Sequence, residues 1–88
     1  MIYSLSGRVT SKAEHFAVIE TVGVGLKVFM GTRSLETLPA PGAQVKAFCS
    51  LYLRENAAEL YGFLTEGELR FFELLTSVSG VGPKSALA

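Results

Sequence analysis

The hydrophobic period of this sequence changes once, at Thr65, and the change divides the chain into two kinds of structure. Upstream, apolar residues alternate with polar ones, the two-residue period of half-buried strands. Downstream they recur every three or four residues, the period of an amphipathic helix. The switch itself reads Thr65-Glu66-Gly67-Glu68, a capping box in which the threonine hydroxyl serves the Glu68 amide and Glu68 reaches back. Residues 1–64 are therefore expected to form one unit and residues 65–88 the beginning of another.

In the first unit Tyr3, Leu5 and Val9 alternate with Ser4, Ser6 and Arg8. "HFAVIETV" (His15 to Val22) is apolar on both faces and reads as a buried strand. Gly23-Val24-Gly25 breaks it with a turn or bulge, and "LKVFM" (Leu26 to Met30) resumes the pattern. "TRSLETLPAPG" holds one short helix closed by Pro39, Pro41 and Gly42. "AQVKAFCSLYL" then alternates again, with Val45, Ala47, Cys49, Leu51 and Leu53 on one face. "RENAA" (Arg54 to Ala58) is a polar hairpin tip, and "ELYGF" (Glu59 to Phe63) returns as the last strand. Five strands with a short helix between the third and fourth is the order of an OB-fold barrel. A generic small β-barrel shares much of that pattern.

In the second unit Leu69, Phe72, Leu75 and Val78 lie at helical spacing, with Phe71 and Leu74 widening the apolar stripe of a helix over Glu66 to Val78. A second Gly-Val-Gly triplet follows, Gly80-Val81-Gly82, directly ahead of Pro83 and Lys84. Proline suits the first position of a new helix, and that helix reaches Ala88, where the sequence ends in mid-element. The expectation is a fragment of a longer protein. Between two helices, these glycines leave room for a ligand, and the helix-start amides with Lys84 make an anion site fit for a DNA phosphate. The alternative is a plain connection with glycine as a helix cap, and spacing alone does not decide between the two. For Glu55 and Asn56, ordinary turn chemistry is the favoured reading on the residues alone.

Composition narrows the function classes. Among 88 residues there are eight Lys+Arg and eight acidic residues, every one a glutamate, so no overall positive field exists and any nucleic-acid contact must be local. An apolar share of 49% is high for so short a chain and points to a partner surface beyond the core. One cysteine and one histidine leave no disulfide and no cysteine-based metal cluster; no cofactor is expected. There is no obvious Ser/Cys–His–acid set either, and the paired Glu66 and Glu68 are explained by the helix start they occupy. His15 and Cys49 read as structural residues. "MIYSLSGRV" lacks a charged leader and a long apolar run, so a cytoplasmic protein is expected.

With these residues placed, the chain resembles the N-terminal part of the bacterial RuvA family of Holliday-junction proteins. The likeness runs through the Met-Ile start with Gly7, "VGVG" (Val22 to Gly25), "LPAPG", "LRENAAELYGF" and "FFELLTSVSGVGPKSALA". The last block matches the family's first helix–hairpin–helix motif. The resemblance implies a homotetramer, or an octamer on DNA, that holds a four-way junction in an open square during recombination and repair of DNA damage, within the SOS response. It implies a RuvB motor that hydrolyses ATP for branch migration and a RuvC resolvase as partners. The chain itself is then a non-catalytic, sequence-independent binder. Gly80, Val81, Gly82 and Lys84 would grip phosphates, while Glu55 and Asn56 would form the acidic pin at the junction centre.

Two departures follow from the same likeness. The family's pin is usually Glu-Asp, so Asn56 removes one negative charge per subunit and weaker repulsion at the crossover is expected. The family chain also continues into a second helix–hairpin–helix and a motor-binding domain. A chain without them is expected to bind junctions weakly and not to recruit the motor. Three rival readings remain. A single-strand-binding OB module is opposed by the absence of tryptophan and by aromatics falling on apparent core faces. A purely structural oligomerisation domain and a helix–hairpin–helix glycosylase complete the set.

Overall fold

The computed structural model describes residues 2–78 and 80–87. Met1, Ser79 of the second hairpin and Ala88 of the expected last helix lie outside the described residues. The elements are β1 (Ser4–Lys12), β2 (Phe16–Thr21), β3 (Val24–Phe29), α1 (Thr32–Thr37), β4 (Gln44–Leu53), β5 (Ala58–Phe63), α2 (Glu66–Thr76) and α3 (Pro83–Leu87). The strands close into a barrel in the order β1-β2-β3-β5-β4. Closure needs one long, bent strand to serve two partners. β1 does this, pairing Ser4–Arg8 with β4 and Arg8–Lys12 with β2, with a bulge between Val9 and Ser11 that turns it. β3 and β5 meet in parallel, Val28 beside Leu60 and Phe29 beside Tyr61. This is the OB-fold barrel that the strand order implies. No helix among the described residues is long and apolar enough to cross a membrane.

Inside the barrel the core is aliphatic: Leu5, Val9, Ala17, Ile19, Val28, Ala47 and Leu60 are all buried. Cys49 belongs to this core, and burial pushes its thiol up to about 11. Leu53 departs from the expected inward face. It is exposed because β4 extends past the barrel rim there, toward the hairpin tip.

The first Gly-Val-Gly does not break the chain where the triplet begins. The two-residue turn is Val22-Gly23, with φ of +49° and +80°, and Thr21 pairs with Val24 across it. Two positive φ values make a hairpin turn whose twist matches the flanking strands, so Val24 and Gly25 are free to start β3.

α2 begins as its sequence dictates. The Thr65 hydroxyl accepts from the Glu68 amide at 3.2 Å and lies 3.1 Å from the Glu68 carboxylate. Leu69 and Phe72 are buried against the barrel, but Phe71, Leu74 and Val78 face solvent. The stripe read as one wide face is therefore two faces, because only the Leu69/Phe72 side meets the sheet. The helix ends at Thr76, two residues early. The Thr76 hydroxyl donates back to the Phe72 carbonyl, and the Ser77 amide closes the last turn on Glu73.

What α2 packs on is the outer wall of the barrel. Tyr61, Phe63 and Phe72 are buried there with Phe29, Phe48 and Tyr52 around them, and Ala86 and Leu87 of α3 join the same cluster. Tyr61 stacks between Phe29 and Phe72, at 5.5 Å from each. Tyr61, Phe63 and Phe72 are thus core residues, as their faces imply, but they belong to a second cluster between the barrel and the helices, while Tyr3 and Phe71 are exposed.

Candidate nucleic-acid interface

The tip between β4 and β5 is a tight turn over Arg54–Ala57, closed by the Arg54 amide donating to the Ala57 carbonyl at 2.7 Å. Glu55 and Asn56 are its two central residues and both are exposed. The strands beneath hold it in fixed register, Leu53 opposite Ala58 and Tyr52 opposite Glu59. An acid and an amide are thereby presented on a rigid stalk projecting from the barrel.

The second Gly-Val-Gly sits between α2 and α3. Gly80 has φ of +88°, a left-handed conformation that other residues adopt only at a cost. The Val81 amide donates to the Val78 carbonyl at 3.1 Å, and the Ala86 amide donates to the Gly82 carbonyl at 3.0 Å as α3 starts at Pro83. Around Gly80 and Gly82 there is open space where a side chain would stand. The backbone here is thus bare and approachable from outside.

Lys84, however, does not point away with the hairpin backbone. Its ammonium lies 3.5 Å from Glu59, 3.4 Å from the Tyr61 hydroxyl and 4.1 Å above the Phe29 ring. Glu59 in turn accepts from Arg54 Nε at 3.1 Å and from the Tyr61 hydroxyl at 2.8 Å. The Tyr61 hydroxyl, aided by the nearby Lys84 and Arg54 charges, holds the Glu59 carboxyl below its ordinary range. Burial, followed by the bond to Glu59, raises the Tyr61 phenol. One network therefore ties the root of the β4–β5 tip to the first turn of α3.

Of the residues singled out in the sequence, Glu55 and Asn56 sit together at the tip, and Gly80, Val81, Gly82 and Lys84 sit together in the α2–α3 connection. Glu59, expected from the sequence only as a poor substitute for the charge that Asn56 lacks, is the residue whose carboxylate joins the two groups. Alternation placed Glu59 outside the barrel core, but nothing in the sequence pairs it with a lysine 25 positions later (84 − 59).

The chain matches the family model described as the RuvA N terminal domain over residues 1–62. It is 43% identical over all 88 residues to the Holliday junction branch migration complex subunit RuvA of Acetivibrio thermocellus, covering 44% of that protein. Proteins of the same name from Symbiobacterium thermophilum and Beijerinckia indica are each 44% identical over the whole chain, which covers 43% of each. The chain thus spans a little under half the length of these curated relatives.

Proposed function

The chain belongs to the RuvA N terminal domain family, and from that premise we propose that it serves as the junction-binding part of a branch-migration complex. It binds four-way DNA by shape and backbone, without reading sequence. Residues 1–64 form the barrel that places the tip at the crossover, and residues 65–88 begin the helix–hairpin–helix arm that grips the duplex. Barrels assemble as a homotetramer, so that four tips meet at the centre. Glu55 repels phosphate there and Asn56 contributes hydrogen bonds without charge. Gly80, Val81, Gly82 and Lys84 hold a backbone phosphate. ATP hydrolysis falls to a RuvB-type motor, a RuvC-type resolvase acts on the same junction, and the complex works in the bacterial cytoplasm.

The observation that carries this reading is the pairing of two presented groups on one rigid module. An exposed acid-amide tip stands on the barrel, and a bare glycine turn at positive φ is packed to that barrel through the Tyr61–Phe72 cluster. The test is equilibrium binding of a protein of the relatives' full length, carrying this chain at its N-terminus, to a four-way junction and to linear duplex of equal length. A junction preference of at least tenfold, weakening as salt rises, is expected. Equal affinity for the two DNAs would overturn the reading.

One observation favours a second reading. Lys27 sits 4.4 Å over Phe16 on the outer barrel wall, beside Phe29, which makes a small aromatic and cationic surface of the kind single-strand binders use. Tighter binding to oligo-dT than to a junction would support that alternative.

A further inference from the structure

Three donors, one each from the β4–β5 turn, β5 and α3, converge on one carboxylate: Arg54 Nε at 3.1 Å, the Tyr61 hydroxyl at 2.8 Å and Lys84 Nζ at 3.5 Å, all on Glu59. We infer that Arg54 extends the Lys84 grip into a wider phosphate site for the DNA backbone, and that Glu59, held by both and by Tyr61, fills this site in the free protein as an internal surrogate. The inference rests on the DNA-binding reading above and adds to it a competitor built into the chain.

The donor set is that of an oxyanion site, with two charged donors and a hydroxyl around one oxygen pair. A phosphodiester carries the same single charge as the carboxylate and accepts in the same way. The Arg54 side chain is 51% exposed and that of Lys84 62%, against 20% for Glu59. The two charged donors are therefore open to an incoming strand, whereas Tyr61 is fully buried and serves to hold Glu59 beneath them. Arg54 engages Glu59 through Nε alone, and its terminal amines have no hydrogen-bond partner among the described residues. A recess of about 360 Å³, lined by His15, Phe29, Thr32 and Leu87, opens beside Lys84 without reaching Arg54 or Glu59. Lys84 is already held over Phe29, so little freedom is lost when it changes anion.

A strand phosphate entering this site displaces Glu59 or meets its charge, so Glu59 lowers affinity for every DNA that reaches the site. The contact makes the protein easier to dislodge, a property suited to a subunit past which DNA must move. A brace in the same place would behave in the opposite way, since removing it would loosen the arm and weaken binding.

The experiment measures binding of the wild type, Glu59→Gln and Glu59→Gln/Arg54→Gln to both a four-way junction and a linear duplex over a salt series. Expected for Glu59→Gln is about tenfold tighter binding to both DNAs, with a log–log salt slope steeper by about 0.9, one more phosphate neutralised. The double variant is expected to return toward wild type. Unchanged or weaker binding by Glu59→Gln would overturn the inference. A gain that survives the loss of Arg54 would also overturn it. Because the gain is read on linear duplex too, it is separable from junction preference. A wild type with no preference sinks the proposed function, whereas a wild type with preference and an inert Glu59→Gln sinks only this inference. In the wild-type protein, the Arg54 side-chain Nε–H resonance is expected to shift on adding duplex, and a stationary resonance would count against the site independently of any variant.

Discussion

Val22 is the most conspicuous single residue, a β-branched side chain at φ +49° and 98% exposed. The left-handed region costs a residue with a Cβ roughly 1–2 kcal/mol, more when that carbon is branched. Nothing packs on the side chain to offset it. Val22→Asn is therefore expected to stabilise the protein by about 1 kcal/mol, since asparagine tolerates this conformation. Urea unfolding of the two proteins checks it, and equal midpoints would show that the turn relaxes instead.

Cys49 makes a prediction of opposite kind. Its folded thiol holds the proton to about pH 11, against an ordinary value of 9.0. Stability from that difference is complete below about pH 9 and is lost as pH rises toward 11, because only the unfolded chain ionises in between. Comparing wild type with Cys49→Ala across that window isolates the effect: the gap between them should close as pH rises. A thiol reagent at neutral pH should leave the native protein unlabelled, and rapid labelling would place the sulfur at the surface.

At the scale of elements, α2 decides how the second unit is held. Phe72 is buried and touches Phe63, Tyr52 and Tyr61, so Phe72→Ala is expected to cost about 3–5 kcal/mol. Phe71, its neighbour, faces solvent in the single chain, and Phe71→Ala is expected to change stability by less than about 0.5 kcal/mol. Thermal unfolding of the pair reads the contrast, and equal losses would mean that the helix is turned the other way. This orientation was not legible in the sequence. Apolar residues at 69, 71, 72, 74, 75 and 78 cover most of the helix circumference, so the period identifies a helix without naming its buried side. The start was legible, because a capping box is a local bond between Thr65 and Glu68. Strand faces were legible within the strands, but Tyr3, Val22 and Leu53 at their ends are exposed, since alternation records which residues share a side and not how far the barrel wall extends.

Across the whole molecule, the legible part was the order of elements and the illegible part was everything that joins distant ones. The parallel pairing of β3 with β5 closes the barrel, yet it leaves no trace in either strand's pattern. The division of the core was illegible for the same reason: Tyr61 and Phe72 look like core residues and are, but only closure shows that they stack with Phe29 in a second cluster apart from the aliphatic one. Glu55 and Gly80 were picked out by the family motifs, whereas the pairing of Glu59 with Lys84 came into view only when the barrel brought the two together. The exposed tip and the α2–α3 turn are thus fixed relative to one another by the barrel, and that fixed geometry is what would select an open junction over a linear duplex.

The most direct measurement of that claim is energy transfer between fluorophores on the arms of a four-way junction, folded by magnesium ions and then titrated with a full-length protein carrying this chain. Opening by the protein is expected to bring all pairs of adjacent arms to a common transfer efficiency, the signature of a square. An arm geometry that stays folded while the protein is bound would contradict the account.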